Sequence, residues 1–183
     1  MLLLALDPGI VHPACALFQE GVLVRASRVK LPGALAKLDP LARELGVAQC
    51  ILAWLGGVRP DVLVVERPQI YRASKSPGDP NDLLSLAALN AAVGALVQAP
   101  TCKSYLPREW AGTTQKTKTG DPWLSMRGQR VHKRLSEVEL ATVVPSHDAV
   151  DAIGIGLHHL GRFDRIRNFS RGLAADALLR GDG

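Results

Sequence analysis

Cysteine and aromatic residues are both scarce in this chain. Cys15, Cys50 and Cys102 are odd in number and far apart, which excludes a disulfide framework and paired zinc-ligand spacing and points to a reducing compartment. Aromatics make up only 4% of 183 residues, so the core must be aliphatic, built from Leu, Ala and Val. No apolar run approaches the ~20 residues of a membrane-spanning helix. The opening MLLLAL meets Asp7 after six residues and lacks a basic leader, too short for a signal peptide or a span. Internal repeats and low-complexity segments are absent as well.

Acid is nearly missing from one stretch. Between Lys103 and Arg134 stand Lys103, Arg108, Lys116, Lys118, Arg127, Arg130, Lys133 and Arg134 against only Glu109 and Asp121, while the whole chain carries +5. Interleaved with Tyr105, Trp110 and Trp123, this block suits a surface that contacts phosphates, although a solvated basic face has the same composition.

What is present reads as one α/β domain over residues 1–165, followed by a tail, 166–183, with weak signals. Residues 2–6 are an unbroken apolar run, as expected of a strand buried on both faces. Residues 14–19 and 22–30 read as two more strands joined across Glu20-Gly21, giving an antiparallel meander. Asp39-Pro40 starts a helix that Gly56-Gly57 stops, and the strand 62–66 follows, so the connection is a parallel crossover. A basic loop, 67–80, carries Arg67, Tyr71, Arg72 and Lys75. The helix expected over 81–98 is apolar on nearly every face, which implies burial on more than one side and hence a homodimer. A strand over 100–106, a long loop over 107–122, a basic helix over 127–140 and a core helix over 147–160 capped by Ser146 complete the reading.

Two acids end otherwise apolar strands, Asp7 after LLLAL and Glu66 after VLVV. Parallel neighbours would bring both to one edge of a sheet. Asp148 and Asp151, three apart, share a face of the last helix and can reach the same edge. Each acid alone has a structural explanation: a turn, a strand end, or the favoured first turn of a helix. Together they form a cluster that demands a counter-charge, since two unit charges 4 Å apart repel by about 4 kcal/mol at an effective dielectric near 20. A hard, oxygen-rich set of this kind suits Mg²⁺ or Mn²⁺, two of which could serve in-line attack on a phosphodiester.

The segments LLLALDPGIVHPACALF, DVLVVERPQIY and HDAVDAIGIGLHH resemble, in order and spacing, the three acidic motifs of RuvC-type Holliday junction resolvases. With helix 81–98 the resemblance covers most of residues 1–160. It implies an RNase H-like fold with a mixed five-stranded sheet, an antiparallel three-strand meander plus two parallel strands, flanked by helices. It implies a divalent-metal-dependent endonuclease that nicks four-way DNA junctions in pairs, working as a homodimer through helix 81–98 in the cytoplasm of a bacterium or of a phage's host. Asp7, Glu66, Asp148 and Asp151 would be the catalytic metal ligands, and His147 stands beside a position where some relatives have histidine. Tyr71 matches an aromatic that stacks at the junction centre, and Lys116 and Lys118 resemble lysines near the scissile phosphate. The insertion YLPREWAGTTQKTKTGDPWLSMRGQR is closer to phage-type relatives. Two alternatives remain: the same chemistry on other branched DNA or structured RNA, and a non-catalytic DNA-binding module whose acids are structural.

Overall fold

The computed structural model describes residues 1–69, 80–112 and 120–163. Strands β1 (Leu2–Asp7), β2 (Ala14–Gln19), β3 (Val22–Arg28), β4 (Val62–Glu66) and β5 (Thr101–Tyr105) form one sheet in the order β3-β2-β1-β4-β5. β1 pairs antiparallel with β2 and β2 with β3, whereas β1–β4 and β4–β5 are parallel. This is the mixed sheet expected from the sequence. The β2–β3 turn places Glu20 at φ 51° and Gly21 at φ 79°, the pair of positive angles of a type I′ turn, whose twist matches that of the flanking strands.

Helix α1 (Pro40–Leu55) starts where Asp39 accepts the Leu41 N–H at 3.0 Å and ends at Gly56 in the left-handed region, φ 64°. Together with α2 (Pro80–Val97) it covers one face of the sheet. That layer joins Leu4 and Leu6 of β1 and Leu63 of β4 to Val47, Ile51 and Leu55 of α1 and Leu89, Val93 and Val97 of α2. The opposite face meets α6 (His147–His159), whose Val150, Ile153 and Leu157 join Leu3 and Ala5 of β1, Phe18 of β2 and Val62 and Val64 of β4. Alternating residues of each strand therefore serve two cores, which is why β1 carries no polar residue before Asp7. Among the described residues, no helix is long and apolar enough to cross a membrane.

Two expectations need correction. The basic segment 127–140 is two short helices, α4 (Met126–His132) and α5 (Glu137–Leu140), not one. Ser136 and Glu139 form a capping box that starts α5. Glu139 turns inward, accepting the Leu23 N–H at 2.9 Å and the Arg162 guanidinium at 2.5 and 3.0 Å. The loop expected over 107–122 begins with a helical turn, α3 (Pro107–Trp110), and Trp110 is 1% exposed, so it belongs to the core rather than to a phosphate-facing surface. Helix α2 is buried on one side within this chain. Leu89, Val93 and Val97 face inward, but Leu84 is 68% exposed and Ala87, Ala91 and Ala95 are exposed too.

Glu139 is the buried acid on which this corner depends. Burial pushes its carboxyl up, but Arg162 and the N–H groups of Leu23 and Ser136 outweigh that and hold it down at about 2. A folded-state value below the unfolded one contributes stability that is complete above the unfolded value, about 4.5, and is lost as pH falls toward 2. Glu139→Ala should destabilise the fold by about 3 kcal/mol at neutral pH by stranding Arg162. In urea melts, this difference should shrink as the pH drops from about 5 toward 2; a gap independent of pH would show that the charge is not what matters.

Candidate active site

The register of the central strands brings the first two acids together. β1 and β4 align Leu3 with Val62, Ala5 with Val64 and Leu6 with Val65. Continued by one step, that alignment sets Asp7 beside Glu66 on neighbouring strands, which lie about 4.8 Å apart. Both side chains follow the residues that face α6, Leu3 and Ala5 on β1 and Val62 and Val64 on β4. Their flanking partners agree, since Asp7 pairs with Ala14 and Glu66 with Tyr105, both on the α6 side.

The other two acids come from α6. Ser146 caps its first turn, its hydroxyl accepting the Ala149 N–H at 3.0 Å. His147 opens the helix, partly exposed, and Asp148 follows. Asp148 and Asp7 line the same groove of about 410 Å³, with Pro8, Gly9, Ile10, Val11, His12, Asp82 and Leu86 as its other walls. Asp151 lies one turn further along α6 and is 4% exposed. Asp82 and His12 carry no local signal in the sequence and join the groove only because α2 and the β1–β2 turn meet at this edge.

Arginine and tryptophan already surround these carboxylates. Arg28, the last residue of β3, meets Asp148 Oδ2 through Nε at 2.7 Å and through Nη2 at 2.6 Å. Arg127 of α4 lies 3.2 Å from Asp151 Oδ2. The Trp110 indole N–H donates to Glu66 Oε2 at 2.8 Å, and Arg127 stands 5.2 Å from the centroid of that indole. In this arrangement no three His, Cys, Asp or Glu side chains among the described residues stand as a preassembled metal-binding group. Register sets Asp7 beside Glu66, Asp7 shares a groove with Asp148, and Arg28 and Arg127 neutralise the two acids of α6.

The basic residues divide by role. Arg67, Lys103, Arg108 and Lys133 are exposed. Arg130 donates to the Trp110 carbonyl at 3.0 Å and lies 4.2 Å from the Phe163 ring, and Arg134 donates to the Phe163 carbonyl at 3.5 Å, so these two guanidiniums brace the fold. Tyr71, Arg72, Lys75, Lys116 and Lys118 lie outside the described residues, as does the tail 166–183. Tyr105 is committed to the interior, its hydroxyl 2.9 Å from His159 Nδ1 and its ring edge-on to His158. Burial and then Glu109 push its phenol up, and burial, Lys103 and His158 push His159 down.

No family sequence model and no curated protein sequence matches the chain. Solved structures do match. The structure of Thermus thermophilus RuvC is 19% identical and superposes with a TM-score of 0.57 over 91% of this chain and 96% of that one. The T. thermophilus RuvC in complex with a Holliday junction substrate gives 17% identity and 0.55 over the same shares. The yeast mitochondrial Holliday junction resolvase Ydc2 gives 15% and 0.53, over 93% of this chain and 83% of that one. The chain thus has the RuvC-type, RNase H-like fold over nearly its whole length.

Close approach of α6 to Trp110 depends on glycine. A Cβ built at Gly154 would stand 2.7 Å from Trp110 Cζ3 and 2.9 Å from Cε3, inside contact distance of a buried indole. Gly154→Ala should therefore destabilise the protein by about 1–3 kcal/mol, measured by urea denaturation. An unchanged midpoint would mean that the indole moves freely and that the layer is looser than described.

Proposed function

We propose that this protein is a divalent-metal-dependent endonuclease that resolves four-way DNA junctions by paired nicking. The observation that carries the reading is the in-register pairing of β1 and β4, which sets Asp7 beside Glu66 at the edge where Asp148 lines the same groove. Asp7, Glu66, Asp148 and Asp151 come from three elements that pack together, and their convergence on one metal site is the substance of this reading.

Chemically, the donor set fits hard cations. Carboxylate oxygens from Asp7, Glu66, Asp148 and Asp151 are the ligands Mg²⁺ and Mn²⁺ prefer, and His147, at the head of α6, is a further candidate donor. Bound there, one or two such ions would supply charge neutralisation and an activated water for hydrolysis of a phosphodiester. The chain's own part is positional. β1 and β4 fix two carboxylates on a rigid sheet, and α6 presents the others from a capped first turn. Arg67, Lys103, Arg108 and Lys133 are exposed cations available to backbone phosphates, and Tyr71, Arg72, Lys75, Lys116 and Lys118 belong to the same proposed DNA contact set by their place in the sequence.

A four-way junction has two scissile strands related by near two-fold symmetry, which a two-fold protein dimer would match. The outer side of the α1/α2 layer suits that dimer. Leu41, Leu45, Leu52 and Leu84 are exposed there, and α2 has no charged side chain after Asp82. Because Leu89 is fully buried within the monomer, the surface of α2 left for a second copy is Leu84, Ala87, Ala91 and Ala95.

The decisive assay offers a fixed four-way junction, a fork, a linear duplex and a structured RNA side by side, with Mg²⁺ or Mn²⁺. Junction cleavage at symmetric sites should dominate, and Asp7→Asn should lower it by more than about 100-fold. Equal cutting by Asp7→Asn would remove the site, and preference for forks or RNA would keep the chemistry but change the substrate. For assembly, Ala91→Glu should convert a dimer to a folded monomer in sedimentation experiments; a dimer that persists would move the interface elsewhere.

A further inference from the structure

Trp110 does something unusual for a buried indole. It is 1% exposed, yet its N–H donates to a carboxylate oxygen, Glu66 Oε2, and not to a backbone carbonyl. Such a bond is charge-assisted and directional, so it selects one carboxylate oxygen and one rotamer of Glu66. The same indole supports Arg127, which lies over the ring and reaches Asp151 Oδ2. Its far edge presses on α6 at Gly154, three residues beyond Asp151, and its own carbonyl is held by Arg130. One side chain thereby touches the acid of β4, the backbone of α6, and the arginine bound to an acid of α6.

We propose that Trp110 is a positioning residue for divalent-ion binding: its N–H sets the orientation of Glu66, and its ring, through Arg127, sets the distance from Glu66 to Asp151. The inference rests on the reading of these acids as a metal site. Groups that orient metal ligands typically change affinity by about 10–100-fold when removed. A tryptophan serving only the core would change stability and leave affinity alone.

Two variants separate these roles. Trp110→Phe keeps an aromatic ring and removes the N–H. Replacement of Trp110 by 3-benzothienylalanine keeps the bicyclic shape and exchanges the N–H for sulfur, so packing against Gly154 is retained. Mn²⁺ affinity is measured by titration calorimetry, tryptophan emission is followed during the same titration, and melting temperature is recorded in EDTA. Mn²⁺ should quench part of the wild-type emission, and that part should vanish in both variants. Both should bind Mn²⁺ at least about 10-fold more weakly, with the benzothienyl variant melting like the wild type in EDTA. Wild-type Mn²⁺ affinity in the benzothienyl variant overturns the hydrogen-bond role, whether or not Trp110→Phe is impaired, and leaves the metal site standing. A wild-type protein that binds no Mn²⁺ at all overturns the metal site and this inference together.

Discussion

The register in which β1 and β4 pair is the constraint on which the candidate site depends. The parallel register of β1 and β4 leaves no freedom in the matter: once Leu3 faces Val62 and Ala5 faces Val64, Asp7 must stand next to Glu66. A one-residue slip of β4 along β1 would turn Glu66 toward the α1/α2 face and away from Asp7. Register is protected by the two cores that alternate residues of β1 and β4 serve, so the apolar packing of the whole sheet enforces a polar geometry at its edge. The arginines paired with Asp148 and Asp151 come from β3 and α4, so these contacts exist only in the complete fold.

The two helical layers have different work. On one face, α6 carries two acids, and its Gly154 and Gly156 let the helix settle against Trp110 and Phe18, where any side chain would collide. That closeness is what brings the first turn of α6 within reach of the strand ends. On the other face, α1 and α2 pack together and expose leucines and alanines with little charge. Under the proposed reading, chemistry and assembly would use opposite sides of one sheet, and a second copy docked on α1/α2 would leave the edge that carries Asp7 open.

Local signals were readable in the sequence because they need no partner. An apolar run that ends in an acid marks β1 and β4, Asp39-Pro40 and Gly56 bracket α1, and Ser146 announces α6. Contacts between elements were not. Counting charges along 103–134 treats Arg127, Arg130 and Lys133 alike, whereas the fold gives the first to Asp151, the second to a carbonyl, and leaves the third in water. Trp110, set among basic residues, looked like a surface aromatic because nothing local shows that Gly154 leaves room for it. Arg28 drew no notice in a half-exposed strand, since its partner lies 120 residues away. The break between α4 and α5 was legible, for Ser136 and Glu139 have capping-box spacing, but the helical period running across it concealed the signal. On α2 the uniformly apolar composition could not tell that Leu89, Val93 and Val97 face the sheet while Leu84 faces outward.

The two arginine pairs are unequal, and the inequality bears on how the site would fill. Arg28 is 44% exposed and Asp148 17%, so their pair lies largely in water, where such contacts contribute about 0–1 kcal/mol and exchange readily. Arg127 and Asp151 are 18% and 6% exposed, with the guanidinium over an indole, so separating them strands a charge in a less polar setting and costs more. Were a divalent ion held here as proposed, Asp148, beside Asp7, would be the acid more easily released from its arginine, and Asp151 the one held through Arg127 against the indole that bonds Glu66. The groove side therefore carries the weaker arginine contact, and the side built on Trp110 the stronger one.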